Sequence, residues 1–587
     1  MSSETAGPPA TGRAPTRRAG AWEGAAVLSL TVVLLLELGH AVRSDGLTND
    51  EVLYIPAGYR QLTASDYRIN PTTPPVASTL AALGLVGAGL RVPESRTGEP
   101  ELAWAYRFIH EANDAAPVIT RSRIPIVALT LGLCLLVWGW ARQSHGPAAG
   151  LLALTLAVFH PSLLAHGHLA TTDIPAAFFI LLGSWAFWRW NRSPGMGSAL
   201  LVGASTGLAA ATRLTGWLLL PSLVLAAAFE ARRRNASVHK RGAVIVLIVT
   251  VLVVVPVTIW GAYGFHYAPA PGQSVALPPA PRLSAPGQIV ALALRVHALP
   301  EAYLEGVRYQ LEHVRQGHTA YLLGRHSRSG WWYYFLVAFL VKNTPGFLLV
   351  LALGTAVALR TRRGDGSTEA PTAVHWLAPA AIVFVSASAS GVHIGERYIL
   401  PVYPYLILLV ASALPPLLKA GRLRWVVAGA LLLHAVPTAL STSRGYLSYF
   451  NVMAGGTSGG HRVLLDSNLD WGQDLPRLAA WMRERGVAAV KLAYQGSDDP
   501  DRFGIRHEDL PGRHLYPERA ATESASGVLA ISPKVLFGLV PRAADRYAML
   551  KDRAPDDRAG VFFVFRLGPT EAFGRSGARE EASGPRP

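Results

Sequence analysis

The feature that most constrains this chain is a succession of apolar runs separated by short polar loops. The strong runs are 22–42, 118–140, 149–165, 171–190, 197–213, 215–229, 243–262, 345–360, 374–390, 398–415 and 424–441. About 20 apolar residues let an α-helix cross the hydrocarbon core of a bilayer, so most of these read as membrane spans. Two weaker runs, 76–90 and 331–341, are too short to be read that way. Only 16% of the 587 residues are charged and 50% are hydrophobic, which is too little charge to cover soluble domains.

Charge decides which loops face which side. The net charge is +16, from 54 basic and 38 acidic residues. The basic residues fall in every second loop: Arg13, Arg17 and Arg18, then Arg142, Arg189 and Arg192, Arg232 to Arg234 with Lys240 and Arg241, Arg360 with Arg362 and Arg363, and Lys419 with Arg422 and Arg424. Cytoplasmic loops carry such an excess. The pattern stays in phase only if 76–90 does not cross, so this stretch is expected to lie on the outer surface. The charge thus reflects orientation and lipid headgroups, and with no basic-aromatic module nucleic acid is not an expected partner.

The expected fold class is a polytopic α-helical membrane protein with about 11 transmembrane helices and a small C-terminal extracytoplasmic α/β domain. Residues 1–21 read as a disordered cytoplasmic tail and 571–587 as a second disordered tail. The transmembrane region is 22–441, with long external loops at 43–117 and 263–330. The second of these opens on a Pro-rich linker, 268–286, and both carry amphipathic stretches, 102–112 and 289–314. The run at 25–38 lacks a cleavage site and reads as an uncleaved first span. The α/β domain is 442–570, with strands expected at 462–466, 488–494, 527–531 and 561–567 and a helix at 475–485. Cys134 is the one cysteine, so no intramolecular disulfide is available. The localisation that follows is the cell membrane, with the amino terminus cytoplasmic and the C-terminal domain outside.

Four polar constellations stand at the outer boundary. Thr48-Asn49-Asp50-Glu51 follows the first span. Adjacent carboxylates beside apolar headgroup space are costly unless used or paired. Asn70-Pro71-Thr72-Thr73-Pro74-Pro75 precedes the surface helix, whose entry the prolines preset. His166-Gly167-His168-Leu169-Ala170-Thr171-Thr172-Asp173 opens the fourth span, where Thr172 or Asp173 also serves as a plain helix cap. His393-Ile394-Gly395-Glu396-Arg397-Tyr398 opens the tenth, where Glu396 and Arg397 can pair with each other or snorkel. Chance would put five such stretches, counting Lys342, on one side roughly one time in sixteen. Carboxylates and cations facing one cavity suit proton abstraction beside a phosphate leaving group. Arg397 and Lys342 are the cations best placed to hold an anionic headgroup. Paired carboxylates can hold a divalent metal, though the sequence does not demand one.

These motifs resemble those of the polyprenyl-phosphate-dependent glycosyltransferases of the GT-C fold, in the protein O-mannosyltransferase-like family 39 and its bacterial relatives. The resemblance runs through Thr48 to Glu51, Asn70 to Pro75, Asn113 and Asp114, Thr171 to Asp173, 395–404 and Tyr449-Phe450-Asn451. Its most specific part is Leu465-Asp466-Ser467-Asn468-Leu469-Asp470-Trp471-Gly472-Gln473-Asp474-Leu475. It implies a GT-C-like transmembrane catalytic domain. It also implies a sugar carried on a polyprenyl monophosphate, an acceptor hydroxyl entering from outside, and transfer with inversion; the acceptor is expected to be a glycan, lipid or protein, and the resemblance does not imply protein in particular. Asp50 matches the aspartate that deprotonates the acceptor, with Glu51 beside it, and Asp173 matches a second acidic position. Lys342, His393, Glu396, Arg397, Asn70 and Tyr54 form the candidate substrate-binding set. The chain departs from the bacterial pattern at Thr72-Thr73, where those members carry Glu-His, and it lacks the extra luminal domain of the eukaryotic enzymes. No nucleotide-binding Gly-rich loop is present, as suits a donor activated by lipid phosphate.

A transporter or flippase of lipid-linked sugars is the rival reading. It would place polar groups near the bilayer midplane, whereas here they cluster at one surface. A receptor using the α/β domain as sensor would give the carboxylates no reason to share that surface.

Overall fold

The computed structural model describes residues 17–233, 238–270, 285–364, 370–413, 421–441, 445–512, 526–540, 543 and 546–568. The Pro-rich linker falls mostly outside these residues, as does nearly all of the amino-terminal tail and the whole of 571–587.

Every strong apolar run is helical. In chain order the helices are α1 (Arg17–Ser44), α2 (Glu51–Ala64), α3 (Val76–Ala82), α4 (Glu101–Tyr106), α5 (Ala115–His145), α6 (Pro147–Val158), α7 (Pro161–His166), α8 (Asp173–Arg192), α9 (Met196–Thr212), α10 (Leu219–Arg233) and α11 (Val238–Ala262). They continue with α12 (Ala285–Arg295), α13 (Glu301–Gln316), α14 (Tyr334–Lys342), α15 (Pro345–Gly364), α16 (Ala370–Ala389), α17 (Val402–Ala413), α18 (Leu423–Leu440) and α19 (Leu475–Arg485). The chain is a multi-pass membrane protein, and its surface shows why. Leu28, Val32 and Leu36 on α1, Ile245, Val249 and Leu252 on α11, and Leu432, Val436 and Leu440 on α18 all point outward. Such apolar belts are disfavoured in water and at home in lipid.

Among the described residues, four helices are long and apolar enough to cross alone: 21–44, 115–145, 242–262 and 423–440. A bent pair, α14 and α15, turning by 113°, meets the same length and hydropathy only when its two arms are taken together. Other apolar helices are shorter, so a count of eleven does not follow from helix length. Prolines explain much of the shortening. The run at 149–165 splits into α6 and α7 because Pro161 disfavours helix at His160, whose backbone is extended (φ −80°, ψ 117°). Pro345 acts likewise at Asn343 and Thr344, so the weak run at 331–341 becomes the first arm of the bent pair. The 289–314 stretch is two helices, parted at Pro300. The 102–112 stretch is α4 followed by a π turn at Arg107–Glu111.

The C-terminal part holds a five-stranded sheet. A two-stranded hairpin precedes it in the chain, β1 (Ala320–Leu322) and β2 (Arg325–Ser327), turning on Leu323 and Gly324 with φ of 49° and 81°. The sheet strands are β3 (Val490–Ala493), β4 (His507–Asp509), β5 (Gly527–Ile531), β6 (Asp557–Ala559) and β7 (Phe562–Leu567), in the order β4-β3-β5-β7-β6. The first three run parallel, β7 is antiparallel to β5 and β6 to β7. Strand alternation sorts the faces. Leu529, Ile531, Phe563 and Phe565 close a small core of their own. Ala530, Phe562 and Val564, with Leu475 and Leu478 of α19, merge into the main core shared with the membrane helices. The strand expected at 462–466 is absent: Leu464 makes one bridge to Leu322, and Asp466 turns the chain with φ of 57°.

Helix α2 lies close on α3 because Gly58 lacks a side chain. A Cβ there would fall 1.9 Å from the Ser78 carbonyl oxygen, whereas one at Gly197 in α9 would meet nothing within 4 Å. Gly58→Ala is therefore expected to lower stability by about 3 kcal/mol, and Gly197→Ala to leave it equal or higher. Melting temperatures in detergent check the pair.

Candidate active site

The site is built on residues 45–50, the link between α1 and α2, and its foundation is a buried charge. Arg123 of α5 is fully buried. Its guanidinium donates to Glu51 at 2.8 and 2.7 Å, and to the carbonyls of Val42, Asp45 and Gly46 at 3.2, 2.8 and 2.7 Å. One side chain thus satisfies carbonyls left open at the end of α1 and anchors the first residue of α2. Glu51 also accepts from the Thr48 N–H and hydroxyl, each at 3.0 Å, in the manner of a capping box, and from the Ala170 N–H at 2.8 Å. Burial opposes ionisation of Glu51, but Arg123 and these N–H groups outweigh it and hold the carboxyl below its ordinary range. With both oxygens taken, Glu51 holds the link in place.

The link is also laced to the C-terminal domain. The Gly46 N–H donates to the Gln473 carbonyl at 2.8 Å, Leu47 N–H to Asp498 at 2.6 Å and Asn49 N–H to the Trp471 carbonyl at 3.0 Å. The Ser497 hydroxyl donates to the Asn49 side chain at 3.2 Å. Asp45 bonds His168 at 3.0 Å and Arg477 at 2.7 Å, and Arg477 bonds Asp474 at 2.6 Å. Burial opposes ionisation of Asp45 too, and Arg477 and His168 bring it well below the usual carboxylate range. Gly46 must be glycine, since a Cβ would come within 2.9 Å of the Asp498 carboxylate.

Asp50 ends this link. It precedes α2, and its side chain makes no capping bond. Its carboxylate instead accepts from Arg397 at 2.7 Å and is 28% exposed, against 10% for Arg397. A second pair lies beside the first. Asp173, fully buried in the first turn of α8, accepts from Arg213 at 2.7 Å and from the Thr171 hydroxyl at 3.0 Å, and it lies 3.9 Å from Arg397. The α8 N-terminus favours its negative charge. Two aromatic rings order the cations. Arg213 lies 4.5 Å above the Tyr398 ring, and Arg397 lies 4.1 Å from the Trp471 ring and 5.6 Å from Tyr398. The Nε of Arg397 is buried without a hydrogen-bond partner among the described residues, so this guanidinium keeps a donor in reserve. Tyr54, one turn into α2, senses all four charges; burial and then Asp50 push its phenol well above the ordinary value, so it stays protonated.

The structure therefore brings together Asp50, Asp173, Arg397 and Tyr54 of the expected set. The others lie elsewhere. Glu396 is buried and accepts from Ser162 at 2.8 Å and from Tyr403. Lys342 gives two of its N–H groups to the carbonyls of Leu447 and Asn468 at 2.8 and 2.7 Å. These contacts make both residues ties between segments. His393 packs among Tyr334 and Phe335, with ring centroids at 5.2 and 5.3 Å. Asn70 holds a turn with φ of 54°, donating its N–H to Glu101 at 3.3 Å. Sequence reasoning missed Arg213, Arg123 and Trp471. Arg213 carried a signal, being a lone charge after an apolar helix. Among the described residues, no three His, Cys, Asp or Glu side chains group to hold a metal. At Asp50 and Asp173 the cation partners are arginines.

Residues 100–260 match the family described as dolichyl-phosphate-mannose-protein mannosyltransferase. The chain is thus related, over that stretch, to the protein O-mannosyltransferase family that its motifs imply. No curated protein matches its sequence. Solved structures that resemble it include Cupriavidus metallidurans ArnT bound to undecaprenyl phosphate, at 15% identity, 93% coverage of this chain and 98% of that one, with a TM-score of 0.47. The Archaeoglobus fulgidus oligosaccharyltransferase in its apo form shows 14% identity, 79% and 58% coverage and a TM-score of 0.45. The S. cerevisiae protein O-mannosyltransferase Pmt1–Pmt2 complex bound to the sugar donor shows 17%, 42% and 34%, with 0.32.

Two outcomes follow from the buried charges. Arg123→Met leaves Glu51 unpaired and should cost about 3–5 kcal/mol, while adding Glu51→Leu should recover part of it; a double-mutant cycle of unfolding midpoints checks this. Burial pushes Asp470 up to about 6, against the pull of Lys534 and of the Gly472 N–H. Its folded value lies above the unfolded one, so its contribution is fully present below pH ~4 and is lost as pH rises through ~6. Asp470→Asn should remove this slope, and the melting-temperature gap between variant and wild type should widen from pH 4 to 6.5 and then level.

Proposed function

We propose that the protein is a membrane glycosyltransferase. It moves a sugar from a polyprenyl monophosphate to an acceptor hydroxyl at the outer face of the membrane, with inversion and with Asp50 as general base. The observation that carries this reading is the pairing of a partly exposed carboxylate with a buried guanidinium that holds one N–H in reserve. The motif resemblance and the family match over 100–260 support the donor class. The positive-inside pattern supports the outward placement.

The donor phosphate is placed against Arg397, whose planar fork suits phosphate oxygens. Taking up this anion draws Arg397 from Asp50 and leaves the Asp50 carboxylate free to accept a proton. Asp50 takes the acceptor O–H proton as the oxygen attacks the anomeric carbon on the face opposite the phosphate. The bond from that carbon to the phosphate oxygen breaks, and its electron pair leaves with the polyprenyl phosphate. Arg397 offsets the charge gathering there. The Asp173 carboxylate, held in place by Arg213, stays 3.9 Å from Arg397 and limits how far it can swing. Tyr54, kept protonated, can donate a hydrogen bond to the sugar or acceptor.

The test is release or transfer from radiolabelled polyprenyl-phosphate sugars by the purified protein in lipid. Asp50→Asn should reduce turnover by roughly 10²-fold or more with an unchanged melting temperature. Full activity in that variant would remove Asp50 as base. No turnover across a broad donor panel, with intact lipid moving between leaflets, would instead establish a flippase.

A further inference from the structure

The chemistry has so far been assigned to the membrane helices and their loops, yet the two partners of the Asp50–Arg397 pair stand 347 residues apart. Each is gripped by the same string in the C-terminal domain. On one side, the Trp471 carbonyl accepts the N–H of Asn49, next to Asp50, at 3.0 Å. On the other, Asn468 accepts the Glu396 N–H at 2.8 Å, next to Arg397, and the Ser467 hydroxyl donates to the Ile394 carbonyl at 2.9 Å. Trp471 touches both halves: its backbone holds the base segment, and its ring lies 4.1 Å from the Arg397 guanidinium carbon.

We propose that Trp471 is a positioning residue of the active site, holding the Arg397 guanidinium in place for the donor phosphate, a role that rests on the glycosyltransferase reading above. An aromatic face attracts a guanidinium by its quadrupole, more strongly when the pair is shielded from water, and Trp471 is only 2% exposed. The ring contact leaves the Arg397 donors free for acceptors: one reaches Asp50 and another, Nε, has no hydrogen-bond partner among the described residues. The ring itself cannot wander. The Trp471 backbone N–H donates to the Gln473 side chain at 2.7 Å, which fixes the base of the side chain, and the indole meets His166 with ring centroids 6.0 Å apart. The C-terminal domain therefore completes the phosphate site.

The test is steady-state transfer by the full-length protein in lipid, with donor and acceptor varied separately. Trp471→Leu keeps an apolar side chain but removes the ring; it should raise the donor KM roughly tenfold and leave the acceptor KM within twofold. Trp471→Phe restores a ring face and should recover most of the donor KM. In an Arg397→Gln background the leucine substitution should add nothing further, since no guanidinium remains to be held. Equal rises in both KM values, a phenylalanine variant as impaired as the leucine one, or effects that add to those of Arg397→Gln would overturn the role. Should Trp471→Leu fail to fold, Trp471→Phe and Trp471→Tyr against Arg397→Gln decide by the same additivity criterion. Wild-type protein without turnover overturns the parent reading and this one together. Turnover that depends on Asp50 but not on the Trp471 ring overturns this one alone.

Discussion

The structure turns on one buried guanidinium. Arg123 sits in α5 with no access to water, and its charge is tolerable only because five acceptors surround it. Those acceptors belong to the end of α1, the link after it and the start of α2. A buried cation without partners costs several kcal/mol, so this ring of acceptors specifies one path for the link. Asp50 is carried by that path. Its side chain is left out of the cage, which is why the link can be rigid while its last carboxylate remains available.

Around this anchor the acidic and basic groups divide into two layers. In the inner layer Glu51, Asp45 and Asp498 are tied to Arg123, Arg477 and Arg502 at 2.7 to 2.8 Å and are almost wholly buried. In the outer layer Asp50 and Asp173 face Arg397 and Arg213; here one carboxylate, that of Asp50, is 28% exposed, and Arg397 keeps a donor without a partner among the described residues. The distinction is physical. Closed inner pairs fix geometry, whereas an open outer pair can exchange one anion for another.

Much of this was legible in the sequence. Apolar runs mark helices wherever they occur, because burial and lipid exposure both select for them. The placement of Asp50, Asp173 and Arg397 on one boundary followed from charge parity alone, and the structure puts all three within one group. The separate partners of Asp50 and Glu51 were not legible, because adjacency in sequence is not adjacency in direction: successive helical residues project about 100° apart. The partners of Lys342 and Glu396 were not legible either, because charge counts do not show the backbone carbonyls or hydroxyls that engage a charged group. Trp471 was hidden for another reason. Its partner is set by how a separate sheet-bearing domain docks, and no periodicity records a contact of that kind. The splits at Pro161 and Pro345 were readable in principle, since each proline sits inside an apolar run.

The lacing of the link to the C-terminal domain also sets an order of events in the making of the protein. Asp45 and Leu47 meet Arg477 and Asp498 across 432 and 451 residues. At ~5–20 residues per second of synthesis, the link waits roughly 20–90 s for its partners. Through that interval most of the membrane helices can be in place while the carboxylate that ends the link lacks its final setting. The site is thus closed last, and a nascent protein interrupted before its C-terminal domain is made carries a membrane scaffold with the link between α1 and α2 unlaced.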